Sequence, residues 1–196
     1  MKEINNFFKI LFCCFFILTT KVESKVISIG NANANITVKV FSSLTCPHCA
    51  SFHNEVFNSL KLDYIDKGLV RYEHHAFPLD LAALNAEMVV RCQTNNDKRF
   101  KLLEEIYNQQ KVWAVGSDIN KINALLMVIG LDFGLTNEVM NSCLKNNEVQ
   151  DEILNERIKA QKKYKIDSTP TILVNEKKYN NKIDYKAFKK IIDKNL

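Results

Sequence analysis

Two cysteines, Cys46 and Cys49, stand where one sequence pattern gives way to another. Before them, ITVKVFSS (residues 36–43) alternates, with Ile36, Val38 and Val40 on one side, as a half-buried strand does. After them, Cys49, Phe52, Val56, Leu60 and Tyr64 recur at helical spacing, and Gly68 marks the end. The segment Cys46-Pro47-His48-Cys49 therefore opens a helix directly after a strand, a context in which a Cys-x-x-Cys pair reads as a redox motif. Pro47 suits the first helical position, where its missing N–H costs nothing. Cys46 then sits at the helix N-terminus, where unpaired N–H groups and the helix dipole favour an anion. Cys49 turns back toward the body of the protein. The expected division of roles is an exposed Cys46 thiolate and a buried Cys49 that resolves its mixed disulfides.

His48 lies between the two. Its imidazole is expected to donate to the Cys46 thiolate or to stand beside it as a cation, lowering the thiol pKa either way. Stabilising the dithiol makes the corresponding disulfide a stronger oxidant, and a low-pKa thiolate is a better leaving group. Far along the chain, Ser168-Thr169-Pro170-Thr171 precedes a second strand pattern. A cis Thr169–Pro170 bond there would present the Thr169 backbone to an extended peptide. The alternative is an ordinary trans turn.

The elements that must position these residues read in the order β-α-β, a helical block, then β-β-α. Residues 69–76 (LVRYEHHA) form the second strand. From Leu79 to Tyr164 the periodicity is helical. Leu81, Leu84, Met88 and Cys92 make one stripe, and Phe100, Leu103 and Tyr107 another. Ile119, Ile122, Leu126 and Ile129 make a third, closed by Gly130. Val139, Met140, Cys143 and Leu144 share a face behind a Thr136 cap, and 148–165 is a longer, more charged helix. Strands return at Thr171–Val174 and Lys177–Tyr179 around an Asn175–Glu176 turn. Asp184 caps a last helix with Tyr185, Phe188 and Ile192 inside. This order implies an α/β domain with one mixed sheet and an inserted helical subdomain. The boundaries fall at 25–77 and 166–196 for the sheet portion and 78–165 for the insertion.

A chain of 196 residues, 46% hydrophobic, suits one domain with a sizeable core and excludes a disordered chain. The net charge of +5 comes from scattered lysines with only Arg71, Arg91, Arg99 and Arg157 beside them. No basic stripe of the kind that reads nucleic acid is present, so no nucleic-acid partner is expected. At the start, Lys2 and Lys9 precede the apolar run ILFCCFFIL, followed by TTKVES with Val22 and Ser24 at cleavage spacing. This is the layout of a secretory signal peptide over residues 1–24. The run is well short of the ~20 residues a membrane-spanning helix needs. An uncleaved anchor over Phe7 to Thr20 is the alternative. Cys13 and Cys14 would leave with the segment. Export would place Cys46, Cys49, Cys92 and Cys143 where disulfides persist.

Cys92 and Cys143 each lie on an apolar helical face. They read either as a structural disulfide pinning two helices or as two buried free thiols. His53, four residues after Cys49, is a packing or surface histidine or else lines the active-site groove. His74 and His75 point to opposite faces of one strand. None of these completes a zinc-type ligand set with the cysteines, so no metal and no cofactor are expected.

The run SSLTCPHCASFH, FPLD at Phe77 to Asp80, Arg91-Cys92, Gln110 with Trp113, Cys143-Leu144 and STPT together resemble the DsbA family, its alphaproteobacterial members most of all. The resemblance covers essentially the whole mature chain. It implies a thioredoxin fold with a helical insert, and a periplasmic thiol:disulfide oxidoreductase acting on reduced, unfolded exported proteins. A monomer is expected. The resemblance implies Cys46 as nucleophile, Cys49 as resolving cysteine and Pro170 as the cis-proline; Thr169 and His48 complete the expected site from their own positions. It supports a Cys92–Cys143 disulfide. It also implies reoxidation by a quinone-linked membrane protein of DsbB type.

Three positions depart from the family pattern. Val40 stands where a buried acid often relays protons, Ser168 where glycine is frequent, and Glu176 where a turn glycine is frequent. Glu73, a nearby histidine or water is the expected substitute relay. Thr169 before the proline also occurs in isomerases of the superfamily, so a disulfide isomerase or reductase is one alternative. A copper metallochaperone using the CPHC cysteines and His53 is another.

Overall fold

Strand β2 (Ile36–Ser42) runs through the middle of the sheet, with Ile36, Val38 and Val40 fully buried on one face. The computed structural model describes residues 26–196. The export segment 1–24, its anchor alternative and Cys13 and Cys14 lie outside the described residues. Beside β2 lie β3 (Val70–Ala76), parallel to it, and β4 (Thr171–Val174), antiparallel. A parallel neighbour requires a crossover, and the helical run 47–65 supplies it. Two short edge strands complete the order β1-β3-β2-β4-β5: β1 (Ile27–Ile29) on β3 and β5 (Lys177–Lys178) on β4, both antiparallel. β1 was not foreseen; three residues are too few to display a period. The β4–β5 turn is the one expected, with Asn175 and Glu176 both at positive φ, the conformation a two-residue hairpin loop needs.

The crossover helix is less regular than its sequence suggests. α1 (Pro47–Ser51) and α2 (Asn58–Leu60) alternate with π-helical turns at Phe52–Phe57 and Lys61–Ile65. The five foreseen apolar positions are all buried. The wider turns add His53, Phe57 and Ile65 to the same side, where a regular helix would bury a narrower stripe.

Between β3 and β4 the chain is helical: α3 (Leu81–Cys92), α4 (Asn96–Asn108), α5 (Gln110–Trp113), α6 (Ile119–Asp132), α7 (Asn137–Cys143) and α8 (Asn147–Tyr164). α9 (Tyr185–Asn195) closes the fold, with Asp184 accepting from Ala187 N–H at its N-cap. A thioredoxin fold carrying a helical insertion results. The main core joins the sheet face of Val38, Val40 and Tyr72 to α1–α2, α4 and α6. On the other face Phe41, Phe77 and Leu173 pack against Ala160 of α8.

Three helical expectations need correction. Leu81 is 55% exposed and Val139 44%, because each lies in the first turn of its helix, beyond the packed stripe. Gly130 does not end α6, which continues to Asp132. A Cβ there would collide with the Met140 sulfur, so Gly130 permits α7 to approach, and Gly134 at positive φ makes the turn.

Candidate active site

Cys46 is the N-cap of α1 in extended conformation, and Pro47 takes the first helical position. The cap has no side-chain hydrogen bond, so the N–H groups of the first turn face the cysteine sulfur rather than a capping oxygen. The loop before it is braced from the insert. Gln110 Nε2 donates to the carbonyls of Leu44 and Cys46, at 2.7 and 3.1 Å. Thr45 Oγ1 donates to Asp80 Oδ2 at 2.8 Å, and Asp80 caps α3 through Ala83 N–H. Leu79 N–H donates to Ser43 Oγ. The FPLD segment thus ties the active-site loop to the start of the insert.

The Thr169–Pro170 peptide is cis, and the Thr169 carbonyl accepts a hydrogen bond from the Cys46 thiol at 3.4 Å. These two residues are 123 apart in sequence and meet because β4 pairs with β2, with Phe41 opposite Thr171. Cys46 and Cys49 are free thiols, while Cys92 and Cys143 are joined, their Cα atoms 6.0 Å apart.

The dithiol is strongly asymmetric. Cys46 is lowered to about 5 by a hydrogen bond from Cys49, which outweighs burial; the Thr169 side chain and the backbone N–H groups of Cys49 and His48 add to it. Burial pushes the Cys49 thiol well above its usual range, and the neighbouring Cys46 pushes it further. Cys46 nevertheless departs from expectation in one respect. It is only 7% exposed, against 1% for Cys49, because the Thr169 loop covers it. His48 lies in the first turn of α1. Its backbone N–H supports the thiolate, while its exposed side chain lines a cavity of about 260 Å³ with Glu55, Thr169, Pro170 and Ile183. A second cavity of about 430 Å³, bordered by Thr45, Leu81, Ala114 and Ile119, lies on the side of Thr45 and Asp80.

The remaining residues sort by face. Trp113 is fully buried, donating to the Ile106 carbonyl, so it packs the core rather than flanking a groove. His53 is buried between Phe57 and Tyr107. Glu73 is not beside the cysteines. It belongs to the face of β3 opposite Tyr72 and His74, and burial there is overcome by His75 and Arg71, which hold it at about 2. His75 joins it to Glu156 of α8, itself paired with Arg91. Among the described residues, no three His, Cys, Asp or Glu side chains are grouped to hold a metal ion. Sequence reading passed over Glu87, which bonds His74 inside the core at 2.6 Å. Its one sequence trace is an acid set within the apolar stripe of Leu84 and Met88.

Comparison with known proteins agrees with this architecture. The thioredoxin family model matches residues 22–194. A Rickettsia bellii protein, provisionally named a protein-disulfide oxidoreductase, is 31% identical over 160 residues, 82% of this chain; the match spans 61% of that relative's length. Disulfide bond formation protein D of Bacillus subtilis is 30% identical over 178 residues, covering 86% of this chain and 76% of the relative. Among solved structures, Wolbachia pipientis alpha-DsbA1 superposes with a TM-score of 0.80 at 27% identity, over 88% of this chain and 91% of that one. With a cis-proline facing a Cys-x-x-Cys helix, an insertion between β3 and β4, and these relatives, the chain belongs to the thioredoxin family, in its DsbA branch.

Proposed function

We propose that the chain is a thiol:disulfide oxidoreductase that introduces disulfides into exported proteins. The observation that carries this reading is the asymmetry within one dithiol. Cys46 is stabilised as a thiolate at a helix N-terminus, and Cys49 is buried and held protonated three residues on. In the oxidised enzyme, a substrate thiolate attacks Cys46 Sγ and the Cys46–Cys49 bond breaks, its electron pair leaving on Cys49, which takes up a proton. The substrate is then joined to Cys46. Its second thiolate attacks the substrate sulfur of that bond, forming the substrate disulfide and releasing Cys46, a good leaving group because its thiolate is stable. Thr169 offers backbone groups beside the reacting sulfur, and its hydroxyl, buried with no other partner, is available to the thiolate. His48 and Pro170 line the adjoining cavity, where the chain flanking a substrate cysteine would lie.

Reoxidation by a quinone-linked membrane protein of DsbB type, action as a monomer and a periplasmic location after removal of residues 1–24 complete the reading. Among the described residues no helix is long and apolar enough to cross a membrane. The Cys92–Cys143 bond has a structural role within the helical subdomain of residues 78–165, outside the sheet portions 25–77 and 166–196.

The test is catalysed oxidation of a reduced, unfolded disulfide protein by the purified chain without added metal. Activity that survives Cys46→Ala, or that needs copper, ends the oxidase reading. Faster repair of scrambled disulfides than of reduced ones would favour the isomerase. Peptide mapping without reductant should return Cys92 linked to Cys143; both alkylated would refute the structural bond.

A further inference from the structure

The chain is basic overall, with a net charge of +5, but its charge is unevenly placed. A cavity of about 450 Å³ between the sheet and α8 has Arg91, Lys159 and Lys163 in its lining against Glu152 and Glu156, and one of about 120 Å³ beside β5 has Lys177 and Lys178. The two cavities that border Cys46 reverse this balance. Among the described residues, neither the cavity of about 430 Å³ on the Thr45 side nor that of about 260 Å³ on the Thr169 side is lined by a lysine or arginine. Each has one carboxylate, Asp80 in the first and Glu55 in the second. His48, in the smaller cavity, is the remaining titratable side chain.

Neither carboxylate is neutralised within the fold. Asp80 accepts from two neutral donors, Thr45 Oγ1 at 2.8 Å and Ala83 N–H at 2.7 Å. Glu55 is exposed on the first π-helical turn, and among the described residues it has no ion-pair partner. Lys182, next to Ile183 of the smaller cavity, lies 3.4 Å from Asp184 instead. Lys111 of α5 and Lys121 of α6 stand in neither lining. Thr169, whose carbonyl meets the Cys46 sulfur at 3.4 Å, is itself part of the smaller lining, so Glu55 borders the space beside the reacting atom. Phe52, Pro170 and Ile183 give that space apolar walls.

A substrate cysteine attacks Cys46 as a thiolate. Two uncompensated carboxylates oppose an anion that arrives alone and favour one that brings its own cation. Lysine and arginine suit both features of the smaller cavity, because their methylene stems cover apolar surface while the charged head stays in water. We propose that the enzyme selects substrate cysteines flanked by lysine or arginine, with Glu55 taking the cation and Phe52, Pro170 and Ile183 its aliphatic stem. Glu55 is then a specificity-determining residue, and Asp80 adds to the same field from the other side of Cys46. The preference rests on the oxidase reading and names the substrate class of that same site. It acts on encounter and orientation, not on the chemistry of the sulfurs.

The experiment compares dithiol peptides that carry Lys, Gln or Glu on both sides of the first cysteine and are otherwise identical. The readout is the rate at which each reduces the Cys46–Cys49 disulfide of the full chain. Each rate is divided by that of the same peptide with hydroxyethyl disulfide, a neutral small molecule, which removes the effect of the flanking charge on the peptide's own thiol. At about 0.01 M salt the Lys peptide should react at least about tenfold faster than the Glu peptide, the low end of what a cleft of one sign supplies. The ratio should fall toward one near 1 M salt, where the screening length is ~3 Å rather than ~30 Å. Glu55→Gln should lower the low-salt ratio about threefold, as loss of one exposed ion pair does, and Glu55→Lys should lower it further. A wild-type ratio near one at low salt, or a ratio that neither variant moves, overturns the proposal. A wild-type chain that oxidises none of the peptides would remove the oxidase reading and the preference with it.

Discussion

Cys46 occupies the N-cap of α1, whereas Cys92 and Cys143 are the last residues of α3 and α7. One pair begins at the positive end of a helix; the other joins two negative ends. The same dipole that favours a thiolate at Cys46 opposes one at Cys92 or Cys143. Thiol–disulfide exchange needs a stable leaving thiolate, so under the proposed function a Cys46–Cys49 bond would open and the Cys92–Cys143 bond would stay closed. The surroundings reinforce the difference. Cys46 has Thr169 and two first-turn N–H groups. Cys92 and Cys143 are half-buried among the helices of the insert. The comparison teaches that position along a helix sets which cysteine pair can hold a thiolate.

The largest effect that can break this comparison is on turnover. Cys46→Ala should reduce dithiol oxidation to the uncatalysed rate, whereas Cys92→Ala with Cys143→Ala should keep it within a few fold. A refolding assay on all three chains reads both. Next, titration with glutathione should open Cys46–Cys49 first and leave Cys92–Cys143 bonded, as alkylation and mass analysis at each ratio would show; the reverse order would sink the dipole argument. Third, the Cys92→Ala, Cys143→Ala double variant should lose about 2–4 kcal/mol of stability in urea, as loops of such length do. Fourth, Gln110→Ala removes two hydrogen bonds from the cysteine loop and should cost about 1–3 kcal/mol, mainly by taking the donor from the buried Leu44 carbonyl, since the Cys46 carbonyl keeps the Cys49 and Ala50 N–H groups.

The smallest effect is the pH dependence of the reduced protein. The folded Cys46 pKa, about 5, lies below the value of 9.0 expected of the unfolded chain. A depressed acid gives stability that is present above the unfolded value and lost as pH falls through the folded one. Reduced protein should therefore gain thermal stability from about pH 5 toward 9, and Cys46→Ala should flatten that slope.

Much of the fold was legible because it is written locally. Alternation in ITVKVFSS, the Pro47 helix start, the Asp184 and Thr136 caps and the Asn175–Glu176 turn are each set by a few adjacent residues. Less legible were features without a local period. β1 is three residues long, Gly130 serves a neighbouring helix rather than its own end, and the π-helical turns change which side chains are buried. At the site, the positions of Cys46 and Cys49 at the head of a helix could be read, but the cavity that the His48 side chain lines could not. Whether its ring or its backbone bears on the sulfur depends on the direction the helix imposes on the side chain.

The sequence by itself determined the two sulfurs, their helix N-terminus and the strand before them, because neighbours along the chain are enough to define such elements. Tertiary structure decided what meets them. Thr169 reaches Cys46 through the pairing of β4 with β2, Gln110 braces the loop from 64 residues away, and His74 finds Glu87 across the sheet and α3. These contacts depend on register and on packing between distant elements, and a periodic pattern carries no record of which distant face it will touch.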